Sequence, residues 1–164
     1  YRAEASRVAA IILAAFFMFY LVYFLLPVAG PQFYFAAIGI DAAREGAFAD
    51  MGRYFATHTD MLPAPGWSDG LFYRLVADAQ YTGEFPTAAF PSSHVGCTVV
   101  FLCLAWRRSR VLFCVLLPFA VLLACATVYI QAHYLVDAIA GLCSGMLVYW
   151  LLSRIMPYED CLRR

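Results

Sequence analysis

The feature that most constrains this chain is an almost unbroken apolar run over residues 111–152. One α-helix of that length would reach roughly 60 Å at about 1.5 Å per residue, which is about twice the thickness of a bilayer's hydrocarbon core. The run must therefore fold back on itself. Gln131 and His133 form the one polar cluster inside it and mark the expected turn.

Composition identifies the class of protein. Of the 164 residues, 64% are hydrophobic and 13% are charged, whereas soluble domains carry about 25% charged residues. The sequence predicts an all-α, polytopic membrane helical bundle that forms one membrane-embedded domain over residues 1–164. Four transmembrane spans are expected, at about residues 8–26, 93–106, 111–130 and 134–152.

Residues 31–91 differ from these runs because they carry most of the acidic side chains together with several Pro and Gly residues. We expect this segment, the outer loop, to lie outside the bilayer. Residues 33–40 are too few to cross it and are predicted to form a helix at head-group depth. Residues 44–57 and 69–79 have helical spacing of apolar residues and are predicted to form short amphipathic helices.

The basic residues orient the spans, because all eleven are arginines and they are unevenly distributed. By the positive-inside rule, the side with more arginines is cytoplasmic. Both termini are then cytoplasmic, and the short loops favour a bacterial inner membrane with the outer loop on the periplasmic side. The outer side carries Arg44, Arg53 and Arg74, and the cytoplasmic side carries Arg2, Arg7, Arg107, Arg108, Arg110, Arg154, Arg163 and Arg164.

Two histidines and one acid share the outer face in this topology. His133 and Asp137 are four residues apart, so on a helix they lie on one side. A carboxylate there can accept the proton of one ring nitrogen and leave the other nitrogen free as a nucleophile. Alternatively, the pair has a purely structural role and stabilises the helix bundle. An ionisable residue inside a span nevertheless favours a functional role.

The segment Pro-Ser-Ser-His over residues 91–94 opens the second span. Either serine can cap this helix, and its free N-terminal amides favour an anion such as phosphate. His94 would then lie beside the phosphate as a proton donor. Two histidines and a carboxylate are also a credible set of metal ligands, although the sequence has no local pair of the form His-x-x-x-His.

Two segments resemble the type-2 phosphatidic acid phosphatase superfamily, particularly its inositol phosphorylceramide synthase-like branch. They are Ala-Phe-Pro-Ser-Ser-His-Val-Gly over residues 89–96 and His-Tyr-Leu-Val-Asp-Ala-Ile-Ala-Gly over residues 133–141, with a weaker similarity in Pro-Val-Ala-Gly-Pro at residues 27–31. The resemblance implies a six-helix membrane enzyme that forms a phosphohistidine on a lipid phosphate. Four spans instead of six suggest that an upstream pair is absent from this chain.

The resemblance also assigns roles to residues. It implies that His133 is the nucleophile, that Asp137 orients it and that His94 protonates the leaving group. Ser92 and the amides of Ser93 and His94 would hold phosphate oxygens. The implied partners are a membrane lipid phosphate and the bilayer, with no cofactor, no metal and no nucleic acid.

The sequence departs from the family's phosphatase pattern at the phosphate-binding cations. It has no lysine, so the Lys-x6-Arg-Pro signature is absent, and Ala126 and Thr127 replace the usual Ser-Arg. Pro-Ser-Ser-His also replaces Pro-Ser-Gly-His. In lacking the first two signatures, the sequence resembles the phosphotransferase branch of the family. A non-catalytic lipid-binding or assembly subunit is the alternative function.

Phosphate transfer still requires positive charge around the phosphate oxygens. Of the arginines on the outer side, Arg74 is the first candidate, because its predicted helix is nearest in sequence to the phosphate site, and Arg53 is the second. Either one can equally be a solvated loop charge. Tyr134 and Gln131 are expected to donate hydrogen bonds to the substrate.

Overall fold

The computed structural model describes residues 2–83 and 85–157. Within these residues the chain forms seven α-helices, one 3-10 turn at Tyr54–Ala56 and no β-sheet. The prediction of an all-α membrane bundle is confirmed. The helices are α1 (Arg2–Leu25), α2 (Pro31–Ile38), α3 (Ile40–Arg44), α4 (Leu71–Gly83), α5 (Ser93–Arg108), α6 (Arg110–Tyr129) and α7 (Leu135–Ile155).

Three of the described helices are long and apolar enough to cross a membrane, namely Glu4–Leu25 of α1, Arg110–Tyr129 and Leu135–Ile155. They coincide with three of the predicted spans and identify an integral membrane protein. The remaining predicted span, over residues 93–106, forms α5, which has 16 residues. The total of four spans and the single domain over residues 1–164 stay predictions.

Local sequence explains where these helices begin and end. Pro31 occupies the first turn of α2, where a missing N–H costs nothing. Ser109 separates α5 from α6, because its backbone is extended (φ −160°, ψ 122°) and its hydroxyl accepts a hydrogen bond from the Leu112 N–H at 3.3 Å. The apolar run of residues 111–152 folds back after Tyr129, close to the predicted turn at Gln131 and His133.

Helix α5 packs against α1, α6 and α7. Its contact with α7 is close because α7 presents glycines. A Cβ atom added at Gly141 would lie 2.5 Å from the Ser92 carbonyl oxygen, and one at Gly145 would lie 2.5 Å from the Gly96 carbonyl oxygen. Small residues therefore bring the start of α7 against the start of α5, which is where the predicted site residues lie.

The two ends of this bundle differ in chemistry. At one end the Arg7 Nε donates to the Met156 carbonyl at 2.7 Å, and Arg108 pairs with Glu4 at 3.5 Å. Helix α5 begins at the opposite end, beside His94, and finishes at Arg108. The arginine-rich end and the histidines are thus separated by the length of α5. Arg163, Arg164 and the side chain of Arg2 lie outside the described residues.

The outer loop differs in two places from the sequence-based expectation. The helix expected at head-group depth forms α2, but Phe33 is only 3% exposed, and the start of α2 lies against the turn between α6 and α7, where the Gln131 carbonyl accepts from the Gln32 N–H. Residues 44–57, predicted to be an amphipathic helix, form only the 3-10 turn Tyr54–Ala56 after α3. Gly46 and Gly52 in this segment have φ of 75° and 49°, values that do not continue an α-helix. The helix predicted over residues 69–79 is present as α4.

Candidate active site

Two of the three histidines meet at the start of α5. His94 lies in the first turn of this helix, and His133 lies in the turn between α6 and α7. The His94 Nδ1 is 3.3 Å from the His133 Nε2, and the ring planes form an angle of 64°. His133 is 4% exposed, whereas the side of His94 that faces away from it is open. The pair therefore joins a fixed imidazole to an accessible one.

A tight turn presents His133. Gln131 adopts a left-handed backbone (φ 63°), which is uncommon for a residue other than glycine. The strain is balanced by hydrogen bonds on both sides, since the Gln131 carbonyl accepts from the Gln32 N–H at 3.1 Å and the His133 N–H donates to the Thr127 carbonyl at 3.1 Å. The position of the imidazole is thus set by the backbone of the turn.

A backbone carbonyl fixes the tautomer of His133. Its Nδ1 lies 2.8 Å from the Ala89 carbonyl oxygen. Because a carbonyl can only accept a hydrogen bond, Nδ1 carries the proton. The Nε2 of the neutral ring then keeps its lone pair and faces His94. This is the protonation pattern that a nucleophilic histidine requires.

Asp137 takes a different position from the one that the spacing predicts. Its Oδ2 is 4.0 Å from the His133 Nδ1, too far for a hydrogen bond, and instead accepts from the Tyr134 N–H at 2.8 Å. The i,i+4 argument fails because α7 begins only at Leu135, so His133 precedes the helix. The Ala89 carbonyl makes the hydrogen bond that the sequence assigns to the carboxylate.

The carboxylate of Asp137 caps α7, and its backbone joins the two motifs. Asp137 is 1% exposed, and its backbone carbonyl accepts a hydrogen bond from the Ser92 N–H at 3.0 Å. The segment that carries His94 is therefore hydrogen-bonded directly to the segment that follows His133. A negative charge 4.0 Å from the imidazole remains well placed to stabilise a cationic ring.

The two serines are already engaged within the protein. Ser92 is fully buried, and its Oγ caps α5 by accepting from the Val95 N–H at 3.4 Å. The Ser93 N–H donates to the hydroxyl of Tyr23 at 2.8 Å, and this hydroxyl donates to the Pro91 carbonyl at 3.0 Å. One of the amides predicted to hold phosphate is thus occupied by a tyrosine that the sequence did not single out.

A small cleft of about 70 Å³ opens beside the two imidazoles. Helix α1, the start of α2 and the residue before it, the end of α4 and the loop after it, the start of α5, and the turn between α6 and α7 all contribute to its wall. Neither Arg53 nor Arg74 is among its lining residues, and both side chains are exposed in the outer loop. The cleft is lined by Tyr20, Tyr23, Gly30, Phe33, Gly83, Phe85, Ala88, Ala89, Ser93, His94, Ala132 and His133.

The two remaining predicted residues lie next to the cleft without lining it. The Tyr134 ring packs edge-on against Phe35, with 6.0 Å between ring centroids. Gln131 is half-buried and contributes through its backbone. Nothing in the sequence indicated Tyr23, the Ala89 carbonyl or the buried Gln80, which donates to the Ile130 carbonyl at 3.3 Å. Main-chain partners and single tyrosines carry no pattern that spacing can detect.

Electrostatics keep the His133 ring neutral. Burial, together with repulsion from His94, lowers the pKa of His133 from 6.5 to about 4, and the hydrogen bond to Ala89 opposes this change. Near neutral pH the ring therefore carries no proton on Nε2. Among residues 2–83 and 85–157, no group of three or more His, Cys, Asp or Glu side chains is arranged to hold a metal ion.

Comparison with known proteins gives one match. Searches of curated proteins and of solved structures return no significant similarity. A family model described as the PAP2 superfamily matches residues 1–151. Because the match covers nearly the whole sequence, the chain belongs to the PAP2 superfamily, whose members are generally phosphatases or phosphotransferases.

Proposed function

We propose that this protein transfers the phosphate of a membrane lipid head group through a phosphohistidine on His133. The observation that carries the proposal is the 3.3 Å contact between His94 Nδ1 and His133 Nε2, with the His133 Nδ1 hydrogen-bonded to the Ala89 carbonyl. One nitrogen of the buried ring is tied to the backbone and the other faces an accessible proton donor. This is the arrangement of a nucleophile with its general acid.

The reaction follows in two steps. The Nε2 lone pair of His133 attacks phosphorus and the bond to the leaving oxygen breaks, while His94 gives that oxygen a proton. A water or alcohol oxygen then attacks the phosphohistidine, its proton passes to His94 and the N–P bond breaks. The imidazoles lie too close for a phosphoryl group to sit between them, so the more accessible His94 ring must turn aside when substrate enters.

Asp137 supports the first step in this proposal. Attack through Nε2 leaves a positive charge on the imidazole, and the carboxylate lies 4.0 Å from Nδ1. Its charge therefore favours the phosphorylated ring over the neutral one. The contribution is electrostatic and positional, because the hydrogen bond to Nδ1 belongs to Ala89.

Phosphate oxygens require further partners in the cleft. Ser93 and His94 line it, and the backbone amides at the start of α5 supply partial positive charge. Ser92 holds this turn in place by capping it. We retain Arg74 and Arg53 as the cations that complete the site, with Gln131 and Tyr134 as further donors. Either arginine has to move towards the cleft to do so.

We further propose that the protein belongs to the inositol phosphorylceramide synthase-like branch, which passes the phosphoryl-linked group to a hydroxyl. The absence of lysine and the Ala126-Thr127 pair support this choice over hydrolysis. The arginine-rich end of the bundle supports a cytoplasmic position for that end. The cleft then opens towards the outer leaflet of a bacterial inner membrane.

The test is to follow a phosphate-labelled lipid in purified protein with His133→Ala, His94→Ala and His58→Ala. His58 is the matched control because it is exposed and stacked on Tyr54, with 4.0 Å between ring centroids. Label should become covalently attached to the parent and to His58→Ala, and should be lost with His133→Ala. Full turnover by His133→Ala would exclude the mechanism.

A second candidate function, a non-catalytic lipid-binding subunit, is favoured by one observation: no arginine lines the cleft in the described part of the chain. Vanadate distinguishes the two. Binding of vanadate that raises the melting temperature supports an enzyme, because a phosphoryl-transfer site has to hold a phosphate-like anion and a ligand that binds the folded state stabilises it. Stabilisation by lipid without any effect of vanadate would support the binding subunit.

A further inference from the structure

Helix α4 is fixed to the bundle through one side. On this inner side Gln80 is 4% exposed, and its Nε2 donates to the Gln32 Oε1 at 2.8 Å and to the Ile130 carbonyl at 3.3 Å. Ile130 belongs to the turn that presents His133. The carboxyl end of α4 reaches the cleft, which is lined by Gly83 and by Phe85 just after the helix. The position of α4 is therefore coupled to the mouth of the cleft.

Away from Gln80, the first half of α4 exposes apolar side chains, and Asp78 and Thr82 follow on the same side in its second half. Leu71, Phe72 and Leu75 are 68%, 81% and 57% exposed. At about 100° per residue they lie within about 100° of one another around the helix axis, and Gln80 lies roughly 80° to 180° from them. We call these three residues the α4 apolar face. Single exposed apolar residues are common, whereas a helix that groups them opposite its buried side has an interaction surface.

The segment that follows α4 adjoins the lipid-facing end of a transmembrane helix. The end of α1 that leads to the cleft exposes Phe24, Leu25 and Leu26 at 83%, 64% and 52%, as expected of a lipid-facing span. The chain after α4 is attached there, since the Ala89 N–H donates to the Val28 carbonyl at 3.1 Å. Exposed apolar surface thus continues from the span towards the mouth of the cleft.

Two further observations agree with a membrane surface. Phe85, which lines the cleft, is 72% exposed and extends the apolar surface towards the histidines. Arg74 is exposed on the flank of the α4 apolar face, where a cation can contact lipid phosphates. The exposed Asp78 lies one turn after Arg74 on the same flank, so the apolar side chains, and not net positive charge, favour insertion; amphipathic helices with an exposed apolar face lie in the plane of the bilayer interface.

We propose that the α4 apolar face inserts into the outer leaflet beside the cleft, so that the enzyme takes phosphate from membrane-anchored molecules in preference to the same phosphate in water. This inference rests on the proposed function of the cleft. Insertion holds the mouth of the cleft at head-group depth. A lipid phosphate then reaches His133 by lateral diffusion, whereas a soluble ester has to enter from water.

The activity test compares two substrates in nanodiscs that contain anionic lipid. The double variant Phe72→Ser with Leu75→Ser removes the apolar face and leaves every cleft residue in place. We expect its turnover of long-chain phosphatidic acid to fall about tenfold, with turnover of a short-chain soluble analogue unchanged. The matched control is Phe48→Ser, an exposed phenylalanine of the same loop that lies outside α4. Equal loss on both substrates, or no loss on either, would overturn the proposal.

A second measurement does not depend on catalysis. Phe72→Cys, in a variant without native cysteines, is labelled with an environment-sensitive fluorophore and exposed to spin-labelled lipid. Quenching at position 72 with little quenching at Asp50→Cys supports insertion. A water-exposed label at position 72, or one shielded by a second protein molecule, contradicts it. We expect His133→Ala to abolish both turnovers without changing the quenching, so failure of the proposed function is distinguishable from failure of docking.

Discussion

The imidazole of His133 depends on a carbonyl oxygen more than on a carboxylate. Ala89 accepts the Nδ1 proton at 2.8 Å, while Asp137 lies 4.0 Å away and caps α7. The sequence predicted that His94, His133 and Asp137 lie at one end of the bundle, as they do, but it could not identify a main-chain acceptor. Any residue has a carbonyl, so only the fold determines which one meets the ring.

Substitutions at Asp137 separate its two roles. Asp137→Asn keeps an oxygen that can accept from the Tyr134 N–H, so we expect little change in melting temperature but turnover reduced by about tenfold or more, because the charge near the imidazole is gone. Asp137→Ala also removes the cap and should lower the free energy of unfolding by a further ~1 kcal/mol. Unchanged turnover of Asp137→Asn would limit Asp137 to the cap.

Stability should fall on acidification because His133 is buried as the neutral ring. Its pKa is about 4 in the folded protein, against 6.5 for the unperturbed group. Between these values the unfolded chain binds the extra proton, so stability is complete above about pH 6.5 and is lost as the pH falls towards 4, by up to about 3 kcal/mol. Thermal unfolding in detergent from pH 7.5 to 4 measures this loss. His133→Gln should have a flatter profile, and a profile as steep as that of the parent would assign the loss to another group.

At the scale of elements, apolar periodicity and charge were sufficient to locate the membrane helices but not the outer-loop structure. The spans appear close to their predicted ends because about 20 apolar residues have few alternatives. Residues 44–57 kept the spacing of a helix, yet Gly46 and Gly52 adopt left-handed backbones. Local periodicity cannot predict which short segments pack against the rest of the protein. Helix α2 is one that packs, because it buries Phe33.

The close packing of α5 on α7 leads to a prediction at this scale. A methyl group added at Gly145 would lie 2.5 Å from the Gly96 carbonyl and 2.9 Å from its Cα, and backbone atoms cannot turn away as side chains do. Gly145→Ala should therefore lower stability by about 1–3 kcal/mol. Gly83→Ala is the control, since a methyl group there meets nothing within 4 Å. Equal melting temperatures for the two variants would show that the helices can separate at no cost.

At the scale of the whole molecule, the arginine-rich end of the bundle lies opposite the paired histidines along the bundle axis. The contacts of Arg7 with Met156 and of Arg108 with Glu4 gather cations at one end, and the histidines occupy the other. This separation was predictable because charge in membrane proteins is distributed by topology. The absence of an arginine from the residues that line the cleft was not predictable. The position of an arginine in a long loop depends on tertiary packing, which no sequence motif specifies.

Labelling in intact cells tests the orientation. In a cysteine-free variant, Asp50→Cys in the outer loop should react with a membrane-impermeant maleimide added from outside. Arg154→Cys, in the last turn of α7, should react only after the membrane is permeabilised. The expected difference follows from the excess of arginines at the end that carries Arg154. The reverse pattern would place the cleft on the cytoplasmic side.

The shortness of α5 has a consequence for the surrounding bilayer. Sixteen residues rise about 24 Å, several ångströms less than the hydrocarbon core that neighbouring spans can cross. If α5 is the fourth span that the sequence predicts, the lipids that border it thin or water enters a shallow recess above its first turn. Proton exchange with bulk solvent would then occur below the level of the surrounding head groups, at a depth where a lipid phosphate need not leave its leaflet to react.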